Sequence, residues 1–130
     1  MKYEPLTSLE EVVGKAIVDS AYIIHRRLGP GLLEKIYETC LQHELRKLNF
    51  EVARQVTIPI HYDGLVFDEC LRVDLLVEGK IVVEVKAVDV MNPVWSAQIL
   101  SHLKLMGLRL GYLINFNVPL MKEGIKRFIL

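Results

Sequence analysis

The chain has no surplus of either charge: among 130 residues, sixteen Lys and Arg balance sixteen Asp and Glu. Strong nonspecific nucleic-acid binders carry a basic excess, so a nucleic-acid function here must rest on a local patch, on a metal that supplies positive charge, or on a partner. Long apolar runs are missing too. No stretch approaches the ~18 residues of a membrane span, and residues 110–121 are interrupted by Asn115 and Asn117. The first residues, Met1-Lys2-Tyr3-Glu4-Pro5, lack the basic-then-apolar layout of a secretory signal, which leads us to expect a cytoplasmic protein with no membrane partner. Cysteine is scarce, and Cys40 and Cys70 then read as reduced core thiols. The four histidines, His25, His43, His61 and His102, have no zinc-ligand spacing, which argues against a structural zinc site. Repeats, low-complexity tracts and linker-like segments are also absent. A composition of 52% hydrophobic and 25% charged residues over this length describes one domain, residues 1–130, large enough for its own core.

Local signals divide the chain clearly. Thr7 or Ser8, with Glu10 or Glu11 three residues on, opens a first helix in a capping-box arrangement. Leu9, Val12, Val13, Ala16, Ile17, Ala21, Ile24 and Leu28 recur at helical spacing until Gly29-Pro30-Gly31 stops it. A second helix is expected over about 32–48, burying Leu33, Ile36, Cys40, Leu41 and Leu45, with Lys35, Glu38, Gln42 and Arg46 outward. Strands are expected over 51–61 and 65–77, joined by an Asp63-Gly64 hairpin turn, and over 81–87. Asn92-Pro93 reads as an N-cap with proline at the first helical position, opening a helix to about Met106 that Gly107 ends. Residues 110–116 form a buried strand and 125–130 a short final strand or helix end. The order α-α-β-β-β-α-β-(β) is that of an α/β domain with a mixed sheet, and the helix between the third and fourth strands implies a right-handed parallel crossover.

The chemistry concentrates at one hairpin. With the turn Glu78-Gly79-Lys80 centred on Gly79, residue 77 faces 81, 75 faces 83, and Asp74 faces Glu84, while Lys86 projects from the same face as Glu84. Like charges placed opposite one another destabilise a sheet by roughly 0.2–1 kcal/mol per pair, and a divalent cation between the carboxylates would offset that. A two-residue turn at Glu78-Gly79 would instead set Asp74 opposite Val83 and send Glu84 to the other side of the sheet. Both strands are apolar almost throughout and so expected to be buried on both faces, which leaves hydrophobic pattern unable to choose between the registers. Taken alone, Glu84 and Lys86 also fit a surface ion pair at a strand end. Inside an apolar run, however, charged groups need partners or a metal.

These elements and their local motifs resemble the PD-(D/E)XK nuclease superfamily, and more closely its small GxxExxY branch. The branch motif is matched by Gly31-Leu32-Leu33-Glu34-Lys35-Ile36-Tyr37, and the likeness continues through Arg72-Val73-Asp74, Val83-Glu84-Val85-Lys86-Ala87, Gln98 and Gly111-Tyr112-Leu113-Ile114-Asn115-Phe116. The resemblance implies a restriction-endonuclease-like core. It implies Asp74 and Glu84 as metal ligands, with the backbone carbonyl of Val85 as a third, for Mg²⁺ or Mn²⁺ in its place. Lys86 would then orient the attacking water or stabilise the transition state, Glu34 would be the acidic residue of the core helix, and Gln98 would approach the site from the helix after the third strand. The usual Q-x-x-x-Y motif reads here Gln98-Ile99-Leu100-Ser101-His102, with histidine in place of tyrosine.

Structural readings stand beside these. Glu34 in a first helical turn is stabilised by the helix dipole in any protein. Tyr37 could hold the Glu34 carboxylate or simply pack. Gln98 and His102, one turn apart, form either a solvated stripe or an active-site wall. The function implied is Mg²⁺-dependent hydrolysis of phosphodiester bonds in nucleic acid, DNA first, including branched or single-stranded forms. The alternative is a noncatalytic module of the same fold that binds a protein or nucleic acid, and size and family suggest a homodimer by analogy only.

Overall fold

The structure, a computed structural model, describes residues 4–130 apart from the side chains of Glu69 and Cys70; the expected burial of Cys70 therefore lies outside the described residues. Cys40 is a free, half-buried thiol. The first helix, α1 (Ser8–Leu28), starts at a capping box. Glu10 N–H donates to Thr7 Oγ1 at 3.2 Å, and Thr7 N–H donates to Glu10 Oε1 at 2.8 Å. It is followed by α2 (Glu34–Lys47), β1 (Val52–Tyr62), β2 (Leu65–Val77), β3 (Ile81–Lys86), α3 (Val94–Met106), β4 (Leu110–Asn115), a single 3-10 turn (Met121–Glu123) and β5 (Ile125–Ile129). The element order is the expected one, and the last segment resolves as a strand. No helix among the described residues is long and apolar enough to cross a membrane.

The five strands form one mixed sheet in the order β1-β2-β3-β4-β5. Among the described residues only β3 and β4 are parallel, paired from Ile81↔Leu110 to Lys86↔Asn115, as a crossover through α3 requires. On one face Val13, Ile17, Leu41, Leu75, Val83 and Phe116 join α1 and α2 to the sheet; on the other, Val73, Val82, Ile99, Leu103 and Leu113 seat α3. The Asp63-Gly64 turn is the two-residue hairpin expected, with both residues at positive φ (49° and 81°). At the second hairpin Val77 pairs with Ile81, Leu76 with Val82 and Leu75 with Val83. That is the three-residue turn centred on Gly79, and the two-residue alternative is excluded. Asn92 Oδ1 accepts the N–H of Val94 at 3.0 Å at the start of α3, and Gly107 (φ 68°) ends that helix in the left-handed conformation.

Two expectations about packing are corrected. In α2 the buried residues are Tyr37, Glu38, Leu41 and Leu45, whereas Leu33 and Ile36 are 77% and 43% exposed. Leu33 precedes the helix as its N-cap, and the inward stripe is turned by one residue from the one expected, so Glu38 points in rather than out. In α1, Leu9, Val12 and Leu28 lie at helical spacing but remain exposed. The expectation that both central strands are buried on both faces holds for the aliphatic residues of β3, with Glu84 and Lys86 half-buried, but not for β2, where Arg72 is exposed and Asp74 and Leu76 are half-buried.

Candidate active site

The β2–β3 ladder ends at Leu75↔Val83, and there Asp74 uses its side chain where a backbone partner would stand: Val85 N–H donates to Asp74 Oδ2 at 2.9 Å. Glu84 and Lys86 follow on β3 with the parity of Val82, which packs under α3. One pocket of about 360 Å³ gathers Asp74, Glu84 and Lys86 with Glu34 from the start of α2 and with Gln98 and His102 from α3. Six side chains singled out in the sequence therefore line the same cavity, Tyr37 does not, and Arg72, Trp95 and three aliphatic residues complete its walls. Val85 is the exception in kind: its side chain is buried in the opposite core, so only its backbone can face the site.

A switch of sheet face explains how both helical layers reach one pocket. Val73, Leu75 and Val77 share a parity, yet Leu75 and Val77 pack with α1 and α2 while Val73 packs with α3. Val52 and Val56 on β1 divide in the same way. The crossing lies between Arg54↔Leu75 and Val56↔Val73, at Gln55 opposite Asp74. Gln55 has φ 52° there, a left-handed conformation that costs a non-glycine residue on the order of 1–3 kcal/mol. The inward Glu38 meets this point. Gln55 Nε2 donates to Glu38 Oε1 at 2.6 Å and lies 3.4 Å from Asp74 Oδ1, while Arg54 Nη2 donates to Glu38 Oε2 at 3.3 Å.

Electrostatics single out Glu84. Burial pushes its carboxyl up to about 7, the neighbouring Asp74 adds to the rise, and His102 partly opposes it. Glu84 Oε1 and His102 Nδ1 stand 3.6 Å apart, too far for a hydrogen bond, and each is buried with no hydrogen-bond partner among the described residues. Glu34 is also raised, first by burial and then by Asp74 and Glu38, against the lowering effect of Lys86. Lys86 Nζ rests 4.3 Å from the centre of the Trp95 ring, a cation–π contact that anchors its ammonium at the pocket wall.

These groups fit a hard divalent cation. A buried carboxylate oxygen without a donor, beside a second carboxylate, is an acceptor awaiting positive charge. Among the described residues no group of three or more His, Cys, Asp or Glu is disposed to hold a metal. Mg²⁺ is commonly bound through one or two carboxylates and keeps several waters, so the carboxylates of Asp74 and Glu84 are donors of the right kind and number for it.

Tyr37 has the packing role. Its ring stacks on Phe116 (4.6 Å between centroids, 3° between planes), and its hydroxyl donates to Gly29 O at 2.6 Å and accepts from Leu32 N–H at 3.1 Å. It ties down the turn that delivers Glu34 and does not hold the Glu34 carboxylate directly. Sequence reasoning missed Glu38 and Gln55 and assigned no role to Arg72 or Trp95. Strand alternation from Asp74 could have found Arg72, and helical spacing from Gln98 could have found Trp95. Nothing local marks the left-handed Gln55.

Comparison with known proteins gives one clear result: the sequence model of the PD-(D/E)XK nuclease superfamily matches residues 11–128. No significant match was found among curated proteins or among solved structures.

Proposed function

The chain belongs to the PD-(D/E)XK nuclease superfamily, and from that premise we propose that it hydrolyses phosphodiester bonds in DNA with a Mg²⁺ ion, for which Mn²⁺ can substitute, held by Asp74 and Glu84. The observation that carries the proposal is the Glu84 carboxylate, buried, without a hydrogen-bond donor for Oε1 among the described residues, and raised to about 7 beside Asp74. When bound, the cation neutralises charge on the scissile phosphate and acidifies a coordinated water. The Val85 carbonyl is the third ligand in this reading. A strand residue directs its N–H and C=O to the same side, and Val85 N–H already points at Asp74.

Lys86, anchored on Trp95, stabilises the negative charge that develops on the phosphate oxygens and orients the water. Glu34, whose carboxyl is raised by burial, faces Lys86 and accepts a proton from the attacking water. Gln98 and His102 form the wall that receives the substrate strand, with His102 also the neighbour of Glu84. The finer assignment to the GxxExxY branch is supported by how its motif works here. Tyr37 locks the turn between Gly29 and Leu32, and the turn sets Glu34 at the pocket rim.

The test is cleavage of duplex, single-stranded and branched DNA, and of RNA, with and without Mg²⁺. Wild-type protein should cut DNA only with the metal. Lys86→Ala should abolish cleavage while binding Mn²⁺ as wild type does, because the ligands remain. Metal binding without cleavage of any substrate would assign the chain to the noncatalytic alternative.

A further inference from the structure

We propose that Gln55 is a positioning residue for the metal ligand Asp74: its side-chain amide bridges the buried Glu38 and Asp74, and its left-handed backbone is what brings that amide to both. The inference rests on the metal reading above and adds to it a residue outside every motif of the sequence.

Asp74 has two oxygens to fix. Val85 N–H holds Oδ2, and Gln55 Nε2 approaches Oδ1 at 3.4 Å. The same nitrogen donates to Glu38 Oε1 at 2.6 Å, so its two hydrogens serve one carboxylate each. Glu38 is in turn anchored by Arg54 and buried on the inner face of α2, so it holds the amide of the otherwise exposed Gln55 from that side. Without the amide, two carboxylates from different layers would face each other with no donor between them.

The backbone supplies the second line of argument. Gln55 stands opposite Asp74, at the point where β1 and β2 cross from one core to the other, and has φ 52°. A regular strand would direct its side chain by simple alternation. The left-handed residue breaks that alternation and lets the amide meet Glu38 and Asp74 together. Strain of this kind persists where the surroundings over-determine it, which is common at functional sites. Groups that orient a metal ligand alter metal affinity by about 10–100-fold when removed.

The experiment measures Mn²⁺ binding by the loss of the free-ion paramagnetic resonance signal, together with thermal unfolding of the metal-free proteins. It uses wild type, Gln55→Gly and Gln55→Met. Glycine keeps the left-handed backbone and lacks the amide; methionine keeps the side-chain length and lacks the donors. Both variants should bind Mn²⁺ about 10–100-fold more weakly than wild type, while Gln55→Gly still unfolds cooperatively. Wild-type affinity in both variants, or loss of fold in both, would overturn the inference and leave Gln55 a purely structural residue. Failure of the wild-type protein itself to bind Mn²⁺ would defeat the metal reading, and this inference with it, on a different sample from the one that tests Gln55.

Discussion

Glu84 is a carboxylate with little water around it and a second carboxylate beside it. Its folded-state value of about 7 lies above the ordinary 4.5, so the folded protein holds that proton more tightly than the unfolded chain does. Without metal, stability is therefore greatest below about pH 4.5 as far as this group is concerned. It falls as pH rises from there to about 7 and levels off above. The difference is on the order of 3 kcal/mol. Glu34, also raised, acts in the same direction. Glu84→Gln should flatten this dependence and raise metal-free stability at pH 8, as chemical denaturation across pH 4.5–8 would show. With Glu84 as a metal ligand, as proposed, a proton would compete with the metal there, so Mn²⁺ affinity should weaken as pH drops below about 7. A Glu84→Gln protein with the wild-type pH profile would show that the buried charge lies elsewhere.

At the scale of elements, the α1–α2 connection turns a motif into a mechanical part. Tyr37→Phe keeps the stack on Phe116 but removes the hydroxyl that serves both Gly29 O and Leu32 N–H. It should cost about 1–3 kcal/mol in urea denaturation and lower cleavage by displacing Glu34. A variant with undiminished stability would mean that the hydroxyl is incidental. β5 is held against β4 by an equally local feature. A Cβ at Gly124 would fall 2.0 Å from the Asn115 carbonyl oxygen, so Gly124→Ala should lower the melting temperature sharply by forcing the two apart. Such elements were legible in the sequence because their determinants are local: Thr7 with Glu10, Asp63 with Gly64, and Gly107 each act within a few residues. The inward face of α2 was not legible. Leu33 and Ile36 are more apolar than Tyr37 and Glu38, which take the inward places, so hydrophobicity points to the wrong face, and the tether on Tyr37 and the partners of Glu38 choose the right one.

For the whole molecule, the zero net charge becomes intelligible once the cationic groups are placed, since Lys86 and Arg72 stand at the pocket where a metal would add more. Asp74, Glu84 and Lys86 could be brought together from the sequence because one hairpin turn sets their register, and the structure has that register. Gln98 and His102 needed only the pitch of a helix and the parallel crossover. Glu38 and Gln55 could not be found in that way. Their place depends on the crossing of β1 and β2 between two cores, which is a property of the packed sheet and not of either strand. The account turns on a metal between the two strand carboxylates, and the most direct test is anomalous diffraction from crystals grown with Mn²⁺ at pH 8. A single strong anomalous peak between the carboxylates of Asp74 and Glu84, absent from Asp74→Asn crystals, is the predicted result. Empty density between those carboxylates, or a peak unchanged in the variant, would contradict it.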